Sequence, residues 1–374
     1  MPVENRALER IEAQGFKSIR EADIALNNLN ILIGANGAGK SNFISLFRLL
    51  NEMLEGRLQS YTGAVGASNL FYFGPKVTSE ITVKLYFGAN GYEATFISSS
   101  RDTLIFASEV CWYHEKDKFH QPYIVNLGEG HKETLLFEES SKRPYKSIAD
   151  HVIESLSSWK VYHFHDTSSN AGIKQTGDIN DNARLRPDAS NLAAFLYLLR
   201  ETERPYYERI VKTVQLAAPF FDDFVLRPSP LNPEKIRLEW REKGSDAYFN
   251  ANTLSDGTLR FICLATLLLQ PELPSVILID EPELGLHPYA ISLLAGLLKS
   301  AASETQVIVS TQSVPLVNQF EPQDIIVVDR EDGQSIFRRL DTESLEVWLD
   351  EYGLGDLWEK NLLGGRPQPW EPQR

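Results

Sequence analysis

Leu29-Asn30-Ile31-Leu32-Ile33-Gly34-Ala35-Asn36-Gly37-Ala38-Gly39-Lys40-Ser41-Asn42 reads as a buried strand running straight into a glycine-rich turn. Residues 34–41 satisfy the spacing G-x-x-x-x-G-K-[ST], a loop whose backbone N–H groups turn inward around phosphate oxygens. Lys40 is expected to reach the β- and γ-phosphates of a nucleotide, and the Ser41 hydroxyl to ligate Mg²⁺. Just downstream, Phe43, Ile44, Leu46, Phe47, Leu50 and Leu54 fall at helical spacing. A strand before the loop and an amphipathic helix after it aim a helix N-terminus at the same anion. A chance glycine-rich turn would lack that context.

Two further stretches lie far along the chain. Val276-Ile277-Leu278-Ile279-Asp280-Glu281-Pro282 is an apolar strand ending in paired acids. Such a strand delivers Asp280 to a Mg²⁺ shell at the carboxyl edge of a sheet, and Glu281 can polarise an attacking water as general base. Alone, two acids after a strand also describe an ordinary loop. Leu254-Ser255-Asp256-Gly257-Thr258 opens a helix 25 residues before Asp280, with Ser255 as its N-cap. A serine hydroxyl and free amides at a helix start form an anion site. The surrounding order is IRLEW (236–240) as a strand, Pro288 to Ala302 as a helix, then Gln306 to Ser310 and Asp324 to Val328 as strands. That alternation predicts a parallel α/β sheet.

Taken with Phe16-Lys17-Ser18-Ile19, LIDEPELGLHP and VIVSTQS, these stretches resemble an ABC-type ATPase head of the SMC/RecF-like branch. That group also holds OLD-family heads and AAA-labelled defence ATPases. The resemblance covers residues 1–50 and 235–330. It implies an α/β P-loop NTPase whose mixed central sheet is flanked by helices and carries an inserted lid or arm. ATP and Mg²⁺ are the implied cofactors, with two heads enclosing two ATP molecules head to tail as a homodimer. Lys17, Ser18, Asn36, Gly37, Ala38, Gly39, Lys40, Ser41 and Asn42 would hold the nucleotide from one subunit. Ser255 and Gly257 would cap its γ-phosphate from the other, and Ser41 and Asp280 would hold the metal. Glu281, Lys40 and Gln312 would carry the chemistry, with Glu283 to His287 as the D-loop between sites. Gln312 departs from the family, which usually has histidine in this Ser-Thr-x-Ser context. Glutamine donates a hydrogen bond but has no ionisable proton near neutrality, so slow turnover is expected. The Q-loop glutamine has three candidates, Gln59, Gln121 and Gln175.

The expected division is 1–100 and 236–340 for the two parts of the head, 101–235 for the insertion and 341–374 for an acidic helical tail. Inside the first part, Ile81 to Phe87 and Tyr92 to Ile97 read as a hairpin joined by Gly88-Ala89-Asn90-Gly91. In the insertion, WKVYHF (159–164) reads as a strand and Asn191 to Leu199 opens a helix. His163 and His165 would share one strand face, as a metal pair requires, but no second ligand cluster follows. Trp348, Trp358 and Trp370 read as packing anchors.

Composition bounds the setting. Hydrophobic residues make up 43% and charged residues 24% of 374, an ordinary globular balance. Two cysteines, Cys111 and Cys263, exclude a disulfide scaffold. No apolar N-terminal run marks a signal peptide, so a cytoplasmic protein without membrane association is expected. There are 51 acidic against 37 basic side chains, a net charge of -14 that repels phosphate backbones at long range. Even the densest basic stretch, 200–243, holds nine basic and eight acidic residues. DNA remains an expected partner by resemblance, in repair or antiviral defence, but this charge balance favours an effector protein. Two rivals are a transporter subunit, disfavoured by the 215 residues between Lys40 and Ser255, and an ATP-gated scaffold that barely hydrolyses, favoured by Gln312. With about sixty residues after VIVSTQS, the nuclease domain of an OLD-type protein is not expected.

Overall fold

The computed structural model describes residues 7–365, apart from 143, 344, 346, 347, 349 and 350. The chain opens with a hairpin, β1 (Arg10–Phe16) and β2 (Ile19–Ala25), turned at Lys17-Ser18. β4 (Ile81–Phe87), β5 (Asn90–Ser98), β6 (Leu104–Tyr113) and β7 (Tyr123–Gly128) join this hairpin in an antiparallel sheet, order β2-β1-β4-β5-β6-β7. The β4–β5 turn is tighter than expected. Phe87 pairs with Asn90, leaving only Gly88 and Ala89 outside the ladder, with Gly88 at φ 58°. Positive φ at a two-residue turn is what glycine supplies.

The second sheet carries the chemistry. Five strands run parallel: β3 (Leu29–Ile33), β8 (Trp159–Tyr162), β14 (Val276–Asp280), β15 (Gln306–Thr311) and β16 (Ile325–Glu331). β17 (Gln334–Arg339) returns antiparallel on β16, giving the order β17-β16-β3-β15-β14-β8 and a mixed central sheet. All of β3 and β15 is buried. Strands covered on both faces read as continuous apolar runs, which is why LNILI and VIVS stand out in the sequence.

Side-chain alternation splits the core in two. Ile31, Ile33, Ile277, Ile279, Val307 and Val309 face one cluster, and Leu32, Val276, Leu278 and Ile308 face the other. The second cluster is closed by α1 (Lys40–Leu54) and α4 (Ile148–Ser157) together with the antiparallel sheet, so three layers stack there. Two shorter helices, α2 (Leu58–Val65) and α3 (Leu136–Ser141), add Leu58 and Leu136 to it. The first cluster is closed by α5 (Leu192–Thr202), α6 (Arg204–Ala217), α7 (Asp256–Leu269) and α8 (Pro288–Ala302).

The stretch expected as an insertion, 101–235, is shared among these layers. β6 and β7 extend the antiparallel sheet, β8 is an edge of the central sheet, and α5 and α6 help close its first core. β9 (Gly177–Asp178) pairs with β11 (Lys235–Ile236), and β10 (Phe221–Phe224) pairs with β12 (Glu239–Glu242), which pairs in turn with β13 (Tyr248–Asn250). In the tail, Trp358 is buried in the first core on a short helix, Leu354–Glu359, whereas Trp348 is exposed. Trp370 lies outside the described residues. Among the described residues, no helix is long and apolar enough to cross a membrane.

Candidate functional site

The parallel strands end along one edge, so the segments following β3, β14, β15 and β8 meet there. That edge is where open α/β sheets bind ligands. After β3, the loop turns on Gly34, Gly37 and Gly39, at φ 154°, 79° and 123°. A side chain at Gly34 would strike the Val328 carbonyl, and one at Gly39 the Ser335 side chain. Lys40 starts α1 and is buried, its Nζ donating back to Gly34 O (2.6 Å) and Ala35 O (3.1 Å). Burial pulls the Lys40 ammonium below its ordinary pKa, opposed by Glu281, Asp280 and Glu283. A cation held this way, against its own carbonyls, exchanges those bonds readily for phosphate oxygens. Asn36, Gly37 and Ser41 are exposed at the mouth of the loop.

Ser18 and Asn42 brace this loop from behind. Asn42 Nδ2 donates to Ser18 Oγ (2.7 Å), Ser18 Oγ meets Ser335 Oγ (2.7 Å), and Ser335 Oγ donates to Ala38 O (2.5 Å). Arg330 Nη1 adds a bond to Gly37 O (3.0 Å). Lys17 sits at the hairpin turn with φ 49° and, through burial first and Arg48 second, a lowered pKa. Lys17, Ser18, Asn42, Tyr72, Phe73 and Arg330 line a cleft of about 560 Å³.

After β14, Asp280 Oδ1 accepts from Ser310 Oγ. Glu281 takes φ 43°, its N donates to Ser310 O (2.8 Å), and its Oε1 accepts from Gln312 Nε2. Non-glycine residues rarely adopt positive φ, and such strain gathers at functional sites. β15 lies between β3 and β14 and pairs Thr311 with Ile33 and Ser310 with Asp280, so the paired acids end level with the loop that carries Lys40. Glu283 accepts from Thr311 Oγ1 and Gln312 N, while its Oε2 is buried without a partner.

Burial pushes the Glu283 carboxyl above its ordinary range, with the Glu281 charge adding to it. A carboxyl raised on folding holds its proton more tightly in the folded chain. Its stability contribution is therefore lost as pH rises from the ordinary carboxylate range through the raised value. Glu283→Gln, which cannot ionise, is expected to melt roughly 1–3 °C above the native chain at neutral pH. The gap closes as pH falls into the ordinary carboxylate range, which thermal melts across a pH series will show.

The two histidines fall elsewhere than one strand face. β8 ends at Tyr162 because the His163 N–H leaves the ladder for Pro187 O (3.0 Å). The rings stand 6.3 Å apart, and His165 Nε2 pairs with Asp280 O (2.8 Å). Among the described residues, no group of three or more His, Cys, Asp or Glu is placed to hold a metal ion. His165 thus occupies the end of β8 beside the paired acids. None of the glutamine candidates is bonded there: Gln59 donates to Leu104 O and Lys132 O, Gln175 to Ser169 O, and Gln121 is exposed.

Ser255 and Gly257 form a separate group. Ser255 caps α7 by accepting from Thr258 N (3.2 Å), and Asp256 lies 3.8 Å from the Lys174 ammonium. Gly257 packs directly on the Gly285 carbonyl, where any side chain would collide. Arg260, one turn on, donates to Phe164 O (3.1 Å), His165 O (2.9 Å) and Leu284 O (2.8 Å). Arg260, Arg330 and Ser335 escape the sequence reading, and His165, read there as half of a metal pair, lies instead against Asp280 O. Arg260 alone leaves a local signal, one helical turn beyond Ser255.

A glycine-rich loop, paired strand-end acids and a serine-capped helix on this sheet make an ABC-type P-loop ATPase fold. The chain belongs to the family described as "AAA domain, putative AbiEii toxin, Type IV TA system", which matches residues 29–318. A putative ABC transporter ATP-binding protein of Methanosarcina acetivorans is 32% identical over 124 residues, covering 30% of this chain and 44% of that protein. The match thus spans less than half the length of that relative. Among solved structures, the SmcHead bound to the C-winged helix domain of ScpA superposes with TM-score 0.55 at 19% identity, over 91% of this chain and 99% of that one. The Smc head with an extended coiled coil bound to the C-terminal domain of ScpA, from Pyrococcus furiosus, gives TM-score 0.52 at 16% identity, over 92% and 98%. At those identities the likeness concerns the fold.

Proposed function

We propose that this chain binds Mg-ATP on Gly34–Ser41, pairs with a second copy around the nucleotide, hydrolyses ATP slowly and passes its nucleotide state to an effector protein. The observation that carries this reading is that β3 and β14, on either side of β15, end at one sheet edge, which sets the Lys40 loop beside Asp280 and Glu281. Ser41 and Asp280 would hold Mg²⁺, which supplies charge neutralisation at the phosphates. Glu281 orients water and takes its proton. Gln312 donates to the γ-phosphate once released from Glu281. Lys17, Ser18, Asn36, Gly37, Ala38, Gly39 and Asn42 would frame the nucleotide, and the cleft beside Tyr72 and Phe73 would take its base and ribose. Ser255 and the Gly257 amide face the partner's γ-phosphate. A symmetric pair needs only one such surface, since each copy meets the same patch on the other.

Charge pairing supports a protein effector over DNA. In the densest basic stretch, Arg227 and Arg237 pair with Glu239, Lys235 with Asp178, Arg241 with Asp222 and Arg204 with Glu208. Cations already neutralised by neighbours release few counterions from a phosphate backbone. Membership of a family described as a putative toxin–antitoxin AAA domain supports defence as the setting, with DNA repair as the alternative. A second reading, an ATP-gated scaffold with almost no turnover, draws on Gln312 standing where an ionisable residue is usual.

Calorimetric titration with Mg-ATP and a phosphate-release assay test the proposal. The native chain is expected to bind and slowly hydrolyse, and Lys40→Ala to lose both, with binding weakened at least about tenfold, or 1.4 kcal/mol. Binding without phosphate release selects the scaffold. A native chain that binds no nucleotide overturns both.

A further inference from the structure

Glu283 stands two residues beyond Glu281, and nothing in the ATPase reading requires a carboxyl there. Its surroundings are specific. Oε1 accepts from Thr311 Oγ1 (2.5 Å) and from Gln312 N (3.3 Å), and Thr311 Oγ1 accepts in turn from Ser313 N (3.0 Å). Thr311 is fully buried, so this grip lies inside the fold, whereas Gln312 is exposed. The Gln312 amide nevertheless reaches Glu281. A long exposed side chain keeps one position only where its main chain is pinned, because its free rotamers otherwise win on entropy. The pin here is Glu283, reaching from the D-loop to the end of β15.

We propose that Glu283 is the positioning residue of the switch segment, gripping Thr311 and the Gln312 backbone so that the Gln312 side chain rests on Glu281 and leaves it only when the D-loop moves. This rests on the ATPase reading for its consequence. The D-loop that carries Glu283 also carries Gly285, against which Gly257 packs. One short segment therefore touches the general base's partner on one side and the γ-phosphate cap for the other subunit on the other. Contact with the second head is thereby conveyed to Gln312, and through it to Glu281. A carboxyl merely filling space would not need two converging donors. Burying one with Oε2 unpaired is unfavourable without compensation.

Two readouts separate the grip from the ATPase reading. The first is the Gln312 side-chain amide resonance in nucleotide-free protein labelled with ¹⁵N-glutamine, assigned by its loss in Gln312→Ala. It is expected to lie away from the exposed glutamines and to join them in Glu283→Leu. It should stay in place in Glu283→Gln, which keeps an acceptor oxygen. Thr311→Val, which removes one of the two donors, gives a second route should the leucine variant fail to fold. The second readout is kinetic. Glu283→Leu is expected to lower kcat for phosphate release about tenfold, with KM for ATP within about twofold, and to lose nothing more on top of Gln312→Ala, since coupled residues are non-additive. An unmoved resonance, or losses that multiply in the double variant, overturns the grip. A native chain that binds ATP but releases no phosphate overturns the ATPase reading instead, and the resonance still decides the grip.

Discussion

Glu281→Gln is expected to slow phosphate release by about 10²–10⁴-fold, the range a positioned general base contributes, while ATP binding survives. Glutamine has the same shape and can still meet Gln312, but it cannot accept water's proton. The backbone at this residue is already committed. Its φ of 43° is fixed by the Glu281 N bond to Ser310 O, so the substitution leaves the strand end in place. In the proposed pairing, ATP that binds and is not cleaved would keep bridging the two heads. Light scattering should therefore show the variant as a dimer with Mg-ATP and the native chain cycling back to monomer as phosphate appears. Binding to the folded state also stabilises it, by about 2.7 kcal/mol at a ligand concentration a hundred times Kd. The variant should hold that thermal shift for hours, whereas the native chain's decays with turnover. A variant as fast as the native chain would remove Glu281 from the chemistry.

What is legible in the sequence follows from burial. β3, β14 and β15 are covered on both faces, so they appear as unbroken apolar runs, and each ends abruptly in residues that apolar packing cannot explain: glycines, paired acids, Thr311-Gln312. That contrast alone locates half the site. The limits of α8 are equally plain, because Pro288 marks its first turn and the His287 ring caps it. The hidden half is made of contacts between distant segments. Arg330 meets Gly37 across 293 residues, and Ser335 meets Ser18 across 317. No local pattern encodes either. β8 reads as a strand, but its place beside β14, which is what puts His165 against Asp280, depends on sheet order. The same holds for 101–235. Its strands have no sequence mark saying which sheet they complete, so the segment reads as a separate piece.

The proposed head-to-tail arrangement makes the sharpest demand on the site, because it would divide one active centre between two chains. In it, Lys40 would serve the nucleotide on its own subunit. Ser255 and Gly257, tied in this structure to Thr258 and Gly285, would serve the nucleotide on the other. Lys40→Ala and Ser255→Arg should therefore each reduce phosphate release to background alone, the first by losing its own ATP and the second by blocking its partner's γ-phosphate. Mixed in equal amounts they should recover activity. In a mixed dimer, the phosphate loop of the Ser255→Arg chain faces the intact Ser255 of the Lys40→Ala chain. With random pairing, half the dimers are mixed and each has one complete site of two, so recovery should reach about one quarter of native activity. A site completed within one chain predicts something different. Mixing would then restore nothing, because every chain in the mixture would carry its own defect. Phosphate release from the mixture, measured against each variant at the same total concentration, decides between a shared and a self-contained centre.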